Sequence, residues 1–454
     1  DDIIEEKKQY DAPFSEFLKL YALARNYKKR DADGADPLKP YLEKIENITN
    51  FDDLNEQLPE LVKAGYPLPF GFWVEPDMKN TQVNALFASV PGLFLPDRTY
   101  YENNNPAYQQ LMPVFTKMAS QLLILADYSS SEADEIVESA KRFDAKIAPN
   151  VKSAEESADY SKMYNPQKFA YFSESSSHID FMNLADALFG HAPEQLIVTQ
   201  PKFYERFDGL INSDTFTDMK NWMLVNTVRS ASSYLSEEFR QTGSVFSRAL
   251  SGKKEATPQK KAAFYLAEGI FGQTIGDYYA KKYFGPKAKA DVEHMVKNMI
   301  NVYKNRLSNN TWLGKETREK AILKLDKLAL QVGYPDHIDQ LEYKFKVTPE
   351  NDGGTLFDNM SKFGEITIED TFEKLGKPVD RTKWEMSAAT VNAYYEPFKN
   401  IIVFPAAILQ APFYSLKQSS SQNYGGIGAV IAHEISHAFD NNGAKFDEFG
   451  NLKN

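Results

Sequence analysis

Apolar side chains recur at close to a 3.6-residue period through most of the first 330 positions, and that period predicts helix. Residues 14–27 set the pattern, with apolar side chains at 14, 17, 18, 21, 22 and 24. It continues at 41–48, 54–64, 108–128 and 132–148, the last entered from a serine run at 129–131 that supplies a cap. Further helices are predicted over 214–235, 260–284, 288–305 and 316–330, and Gly333-Tyr334-Pro335-Asp336 reads as a stop. From 336 to 400 the pattern breaks into short β-prone runs, 343–347 and 366–368, and turns such as Asp352-Gly353-Gly354. The main boundary therefore falls near 334–340, dividing the chain into a helical unit, 1–336, and a second unit, 337–454. No Gly/Ser-rich or Pro-rich linker separates them, so the two are expected to pack closely.

A length of 454 residues fits two domains better than one core. With 42% apolar and 25% charged residues, wholesale disorder is excluded. A net charge of −11 leaves no footprint for gripping a phosphate backbone, so nucleic acid is not an expected partner. No apolar run reaches the roughly 18 residues of a transmembrane helix. The absence of cysteine removes disulfides, thiolate metal sites and cysteine nucleophiles together. It fits a reducing cytosol and equally an exported bacterial protein without disulfides. The acidic opening DDIIEEKKQY has neither an initiator Met nor a signal-peptide core, which suggests a removed start.

Chemistry is concentrated near the C-terminus. Residues 425–440 read GGIGAVIAHEISHAFD, an H-E-x-x-H motif in an apolar, helix-compatible stretch. Spacing of four puts His433 and His437 one turn apart on one helix face, where both imidazoles can reach one metal ion. Neutral imidazoles suit Zn²⁺, and Glu434, beside the first ligand, can take a proton from a zinc-activated water. An exposed histidine pair is the competing reading. Against it stand the apolar flanks Val430, Ile431, Ala432, Ile435, Ala438 and Phe439, which predict a helix buried nearly all round. The metzincin pattern needs Gly at 440 and His at 443; Asp440 and Gly443 exclude it, so a third ligand must come from elsewhere, such as a later Glu.

About forty residues upstream lies Val391-Asn392-Ala393-Tyr394-Tyr395, followed by the apolar run 401–406. Residues 389–395 read as an extended segment whose partner is 401–404, across a turn at 397–400. Such an edge can hold a peptide as an added strand, with Asn392 reaching its main chain; an ordinary buried hairpin is the alternative.

Taken together, 391–414 (VNAYYEPFKNIIVFPAAILQAPFY), 423–451, 90–101 and 312–336 resemble the neprilysin-type zinc metallopeptidases, in particular their bacterial oligoendopeptidase O branch. The resemblance implies a mainly α fold. It would be a two-lobed zincin-type metallopeptidase with a large helical lobe, 1–336, over a partial catalytic α+β lobe, 337–454. It implies His433 and His437 as zinc ligands, Glu434 as general base, and Asn392 and Ala393 pairing with the substrate backbone. Substrates would be oligopeptides small enough for a chamber between the lobes. The expected location is the bacterial cytoplasm, with export or cell-surface attachment as the alternative. Two departures stand out. In the family the third ligand is the Glu of an E-x-x-x-D beyond this motif, whereas this chain ends at Asn454 without one; nor does it open on the family's N-G-x-W segment. The resulting expectation is an internal fragment lacking the third ligand, with zinc partial or absent. By itself it would be inactive, a non-catalytic helical or peptide-binding module.

Overall fold

Local signals start several of the helices. Ser129 accepts from the Glu132 N–H at 3.3 Å while the Glu132 carboxylate accepts from the Ser129 N–H at 2.9 Å, a capping box that opens Ser130–Ile147. Asn50 and Thr355 cap Phe51–Lys63 and Leu356–Phe372 in the same way with one bond each. The computed structural model describes residues 9–102 and 105–453. The first eight residues of the acidic opening, and Asn454, lie outside that range.

Predicted helices at 14–27, 41–48, 54–64, 108–128, 132–148, 214–235 and 288–305 are found as Phe14–Arg25, Lys39–Glu46, Phe51–Lys63, Pro106–Leu125, Ser130–Ile147, Phe216–Ala231 and Gly285–Ser308. Four expectations are corrected. The single helix over 260–284 is two, Gln259–Ile270 and Gly272–Tyr283. They break at Phe271, whose fully buried ring meets Phe17, Phe345 and Phe363 edge-on. The helix over 316–330 is Lys315–Asp326, and Ala329–Gly333 is a strand (β5). The β-prone run 343–347 is the last two residues of a helix, Gln340–Lys344, followed by irregular chain, and 366–368 lies inside the helix Leu356–Phe372. There Phe357 and Phe372 enter the main core, and tertiary packing overrides the three β-branched residues.

Two small sheets are present among the described residues. In the first, β1 (Gly71–Asp77) and β2 (Asn80–Ser89) form a hairpin, and the sheet is completed by β3 (Pro166–Lys168) and β4 (Gln195–Val198) in the order β1-β2-β4-β3. The second has β5 parallel to a central β7 (Ile401–Pro405), with β6 (Tyr394–Glu396) antiparallel at the other side. All five residues of β7 are buried, as a strand covered on both faces requires. β6 is an edge strand, paired with β7 on one side. The 391–404 region is thus a hairpin, with 394–396 as its first strand and Asn400, at φ 49°, closing the turn.

The cores do not divide the chain at residue 336. The largest runs from Ala35 to Phe246 and recruits Phe357 and Phe372. A second joins residues between Ala288 and Val332 to residues between Ala393 and Ile435. The second sheet and the H-E-x-x-H helix therefore rest on Gly285–Ser308 and Lys315–Asp326, which the sequence reading assigned to the other unit.

Candidate metal centre

The H-E-x-x-H residues form the helix α1, Ile427–Ser436, followed by a tight turn over His437–Phe439. Its start is pinned: the Ile427 N–H donates to the Phe413 carbonyl at 2.8 Å. Gly426 permits this approach, because a Cβ there would lie 2.4 Å from that same oxygen. One face, Ile427, Ile431 and Ile435, is fully buried against the second core. The opposite face corrects the expectation of a helix buried all round, since Ala429, His433 and Ser436 are exposed. A face open to solvent is what a site that admits a ligand needs. Tyr303 adds a tether from Gly285–Ser308, its hydroxyl donating to the Ala432 carbonyl at 2.9 Å.

His433 and His437 converge as their spacing predicts. Their rings cross at 84°, and the two Nε2 atoms are 3.0 Å apart. His437 Nδ1 sits 2.8 Å from Asp440 Oδ2. Burial raises the Asp440 carboxyl, but N–H groups of Gly443 and Asn442 and the His437 ring outweigh it and hold it below the usual carboxylate value. An ionised Asp440 accepts a hydrogen bond from His437 Nδ1–H, which keeps the ring proton on Nδ1, so the Nε2 lone pair of His437 faces His433. Two imidazole nitrogens directed at one point, one ring fixed by a carboxylate behind it, fit a zinc ion. Among the described residues no group of three or more His, Cys, Asp or Glu is arranged to hold a metal, so this pair offers two ligands.

Glu434 lies beside both histidines and is buried. It is 6% exposed, and α1 packs against β6. Burial pushes its carboxyl up, while His437, His433 and the Tyr395 N–H act against that rise. A carboxylate with a raised pKa is a better base. Asn392 is exposed just before β6, its Oδ1 accepting from the Ala393 N–H at 2.8 Å. The Ala393 side chain is buried in the second core with Ile431 and Ile435.

Sequence reasoning missed the groups behind the motif. Asp440 was noted only for excluding another pattern, although a carboxylate three residues after the second histidine was a visible signal. Tyr303 carried no local signal, and Tyr395 and Asn400 lay in the predicted hairpin without a role of their own.

Sequence models of peptidase family M13 match residues 1–335, by the family's N-terminal region, and 392–454, by its peptidase region. The chain belongs to peptidase family M13. This peptidase is 46% identical over 438 residues to a neutral endopeptidase of Lactococcus lactis subsp. lactis, covering 96% of the chain and 69% of the relative. It superposes on the crystal structure of PepO from Lactobacillus rhamnosis with a TM-score of 0.94 at 33% identity, covering all of this chain and 71% of that one. The zinc metalloprotease Zmp1 of Mycobacterium tuberculosis, in complex with an inhibitor, gives 0.85 at 29% identity, covering 96% of this chain and 65% of that one. The M13 peptidase is mostly helical and two-lobed like these structures, and by class it is a zinc metalloendopeptidase. Among the described residues no helix is long and apolar enough to cross a membrane.

Proposed function

We propose that this M13 peptidase hydrolyses peptide bonds in oligopeptides, with His433 and His437 as zinc ligands and Glu434 as general base. The observation that carries the reading is the 3.0 Å convergence of the two Nε2 atoms, with Asp440 fixing the far side of His437. Bound zinc supplies a Lewis acid that lowers the pKa of water toward ~7 and polarises a carbonyl. Glu434 takes the proton of the attacking water and returns it to the leaving amine. The open side of β6, with Asn392 and Ala393 leading into it, receives the substrate as an added strand and aligns the scissile bond. The proposed division is 1–336 over 337–454, with 285–333 lending its packing to the second part. The proposed location is the bacterial cytoplasm, consistent with the absence of cysteine, with export as the alternative.

Zinc content tests the ligand assignment. His433→Ala is expected to lose stoichiometric zinc by metal analysis while its far-UV circular dichroism is unchanged. Full retention of zinc would remove His433 from the site. Asn392→Ala tests the edge. Because it removes orientation and not metal, kcat/KM on several oligopeptides should fall about 10-fold or more with zinc content unaltered. An unchanged kcat/KM would return 391–404 to the ordinary-hairpin reading.

A second reading is favoured by the two-ligand geometry: residues 1–454 alone act as a non-catalytic peptide-binding module. Its test is zinc affinity and turnover of this segment beside a longer form of the protein. Equal turnover would dismiss it.

A further inference from the structure

The helix Lys315–Asp326 is inverted in an unusual way. Leu323 is 40% exposed, while the adjacent Lys324 is only 6% exposed and, with Leu325, is one of the two residues the helix buries. Nothing about a solvent-facing helix calls for a lysine inside and a leucine outside. What the lysine meets explains it. Its ammonium donates to three carbonyls, those of Ala438 at 2.9 Å, Gly443 at 2.6 Å and Phe446 at 2.8 Å. An ammonium has three N–H donors, and here each has a backbone acceptor. Burial lowers the lysine to about 8 against the pull of Asp447 and Asp440, so at neutral pH the three-donor form prevails.

All three carbonyls belong to the turn that begins directly after His437. That turn carries Asp440, whose carboxylate accepts from the N–H groups of Asn442 and Gly443 and meets His437 Nδ1. Asn400, fully buried, extends the grip: its Nδ2 donates to the Lys324 carbonyl at 3.0 Å and to the Glu448 carbonyl at 2.9 Å. Its Oδ1 accepts from the Tyr395 hydroxyl at 3.1 Å, which ties the same unit to β6. One buried polar assembly therefore spans the helix Lys315–Asp326, the substrate-side strand and the turn behind His437.

We propose that Lys324 is a positioning residue of the metal centre, clamping the 438–446 turn so that Asp440 holds His437 in its ligating orientation. The proposal rests on His433 and His437 being the zinc ligands. Lys324 touches neither metal nor substrate, and its effect passes through Asp440.

The experiment is a double-mutant cycle on zinc affinity in the intact protein, read by competition with a chromophoric chelator. Lys324→Met keeps the stem and removes every donor; Lys324→Gln keeps an amide donor. Lys324→Met is expected to weaken zinc about 10- to 100-fold, as loss of outer-shell support does, and Lys324→Gln by less. Asp440→Ala should weaken it similarly, and adding Lys324→Met to Asp440→Ala should change affinity by no more than about twofold. Zinc affinity of Lys324→Met within twofold of wild type would overturn the proposal, as would losses that multiply in the double variant. So would unfolding of both Lys324 variants, because the residue would then be a strut of the fold. If instead wild type and His433→Ala bind zinc equally, the ligand assignment fails and the proposal falls with it, whereas loss of zinc in His433→Ala without loss in Lys324→Met overturns the clamp alone.

Discussion

Glu434→Gln is expected to retain zinc and peptide binding and to lose turnover by roughly 10²- to 10⁴-fold, about 3–5 kcal/mol of transition-state stabilisation. The substitution is nearly isosteric at a residue that is 6% exposed, so packing against Tyr395 and the helix is preserved. What disappears is the ability to take a proton. Burial raises the Glu434 carboxyl, and the two histidines beside it and the Tyr395 N–H limit the rise. It is thereby tuned as a base. An amide in its place can accept a hydrogen bond from water but cannot carry its proton to a leaving amine. The loss should fall on kcat at saturating peptide, with KM and zinc stoichiometry close to wild type. Turnover within a few-fold of wild type would remove Glu434 from the mechanism.

How much of this could be read from the sequence depends on the range of each interaction. His433, Glu434 and His437 were legible because a helix converts a spacing of four into a shared face, whatever the rest of the chain does. The hairpin at 394–405 was legible for a similar reason, a local turn between two β-prone runs. The strand Ala329–Gly333 was not. Its apolar run follows a helix without a breaker, and only its pairing with Ile401–Pro405, far along the chain, makes it a strand. The long helix Gly285–Ser308 likewise shows its own periodicity but not the isoleucines of the metal helix that it packs beside. Lys324 was the least legible. A lysine in a charged helix reads as solvated surface, and its three acceptors lie more than a hundred positions away.

Gly443→Ala is expected to damage the site nearly as severely as loss of a ligand, although residue 443 touches no metal. A Cβ at 443 would stand 1.8 Å from the His437 carbonyl oxygen, 2.9 Å from its carbon and 3.0 Å from the Ala438 carbon. All three are backbone atoms, so no rotamer change relieves the clash, and the turn must move away from the helix end. That motion pulls on the two bonds Gly443 itself makes, its N–H to Asp440 at 2.6 Å and its carbonyl to Lys324, also at 2.6 Å. Asp440 then loses one of the two backbone donors that hold its carboxylate low and in place behind His437. Overpacking of this kind costs about 1–3 kcal/mol in stability, and displaced outer-shell support costs about 10- to 100-fold in metal affinity. Thermal unfolding of the metal-free protein should shift down by several degrees, and zinc titration should show the weakened site. A Gly443→Ala protein with wild-type zinc affinity would mean that the turn tolerates displacement and that Asp440 does not need its present geometry to support His437.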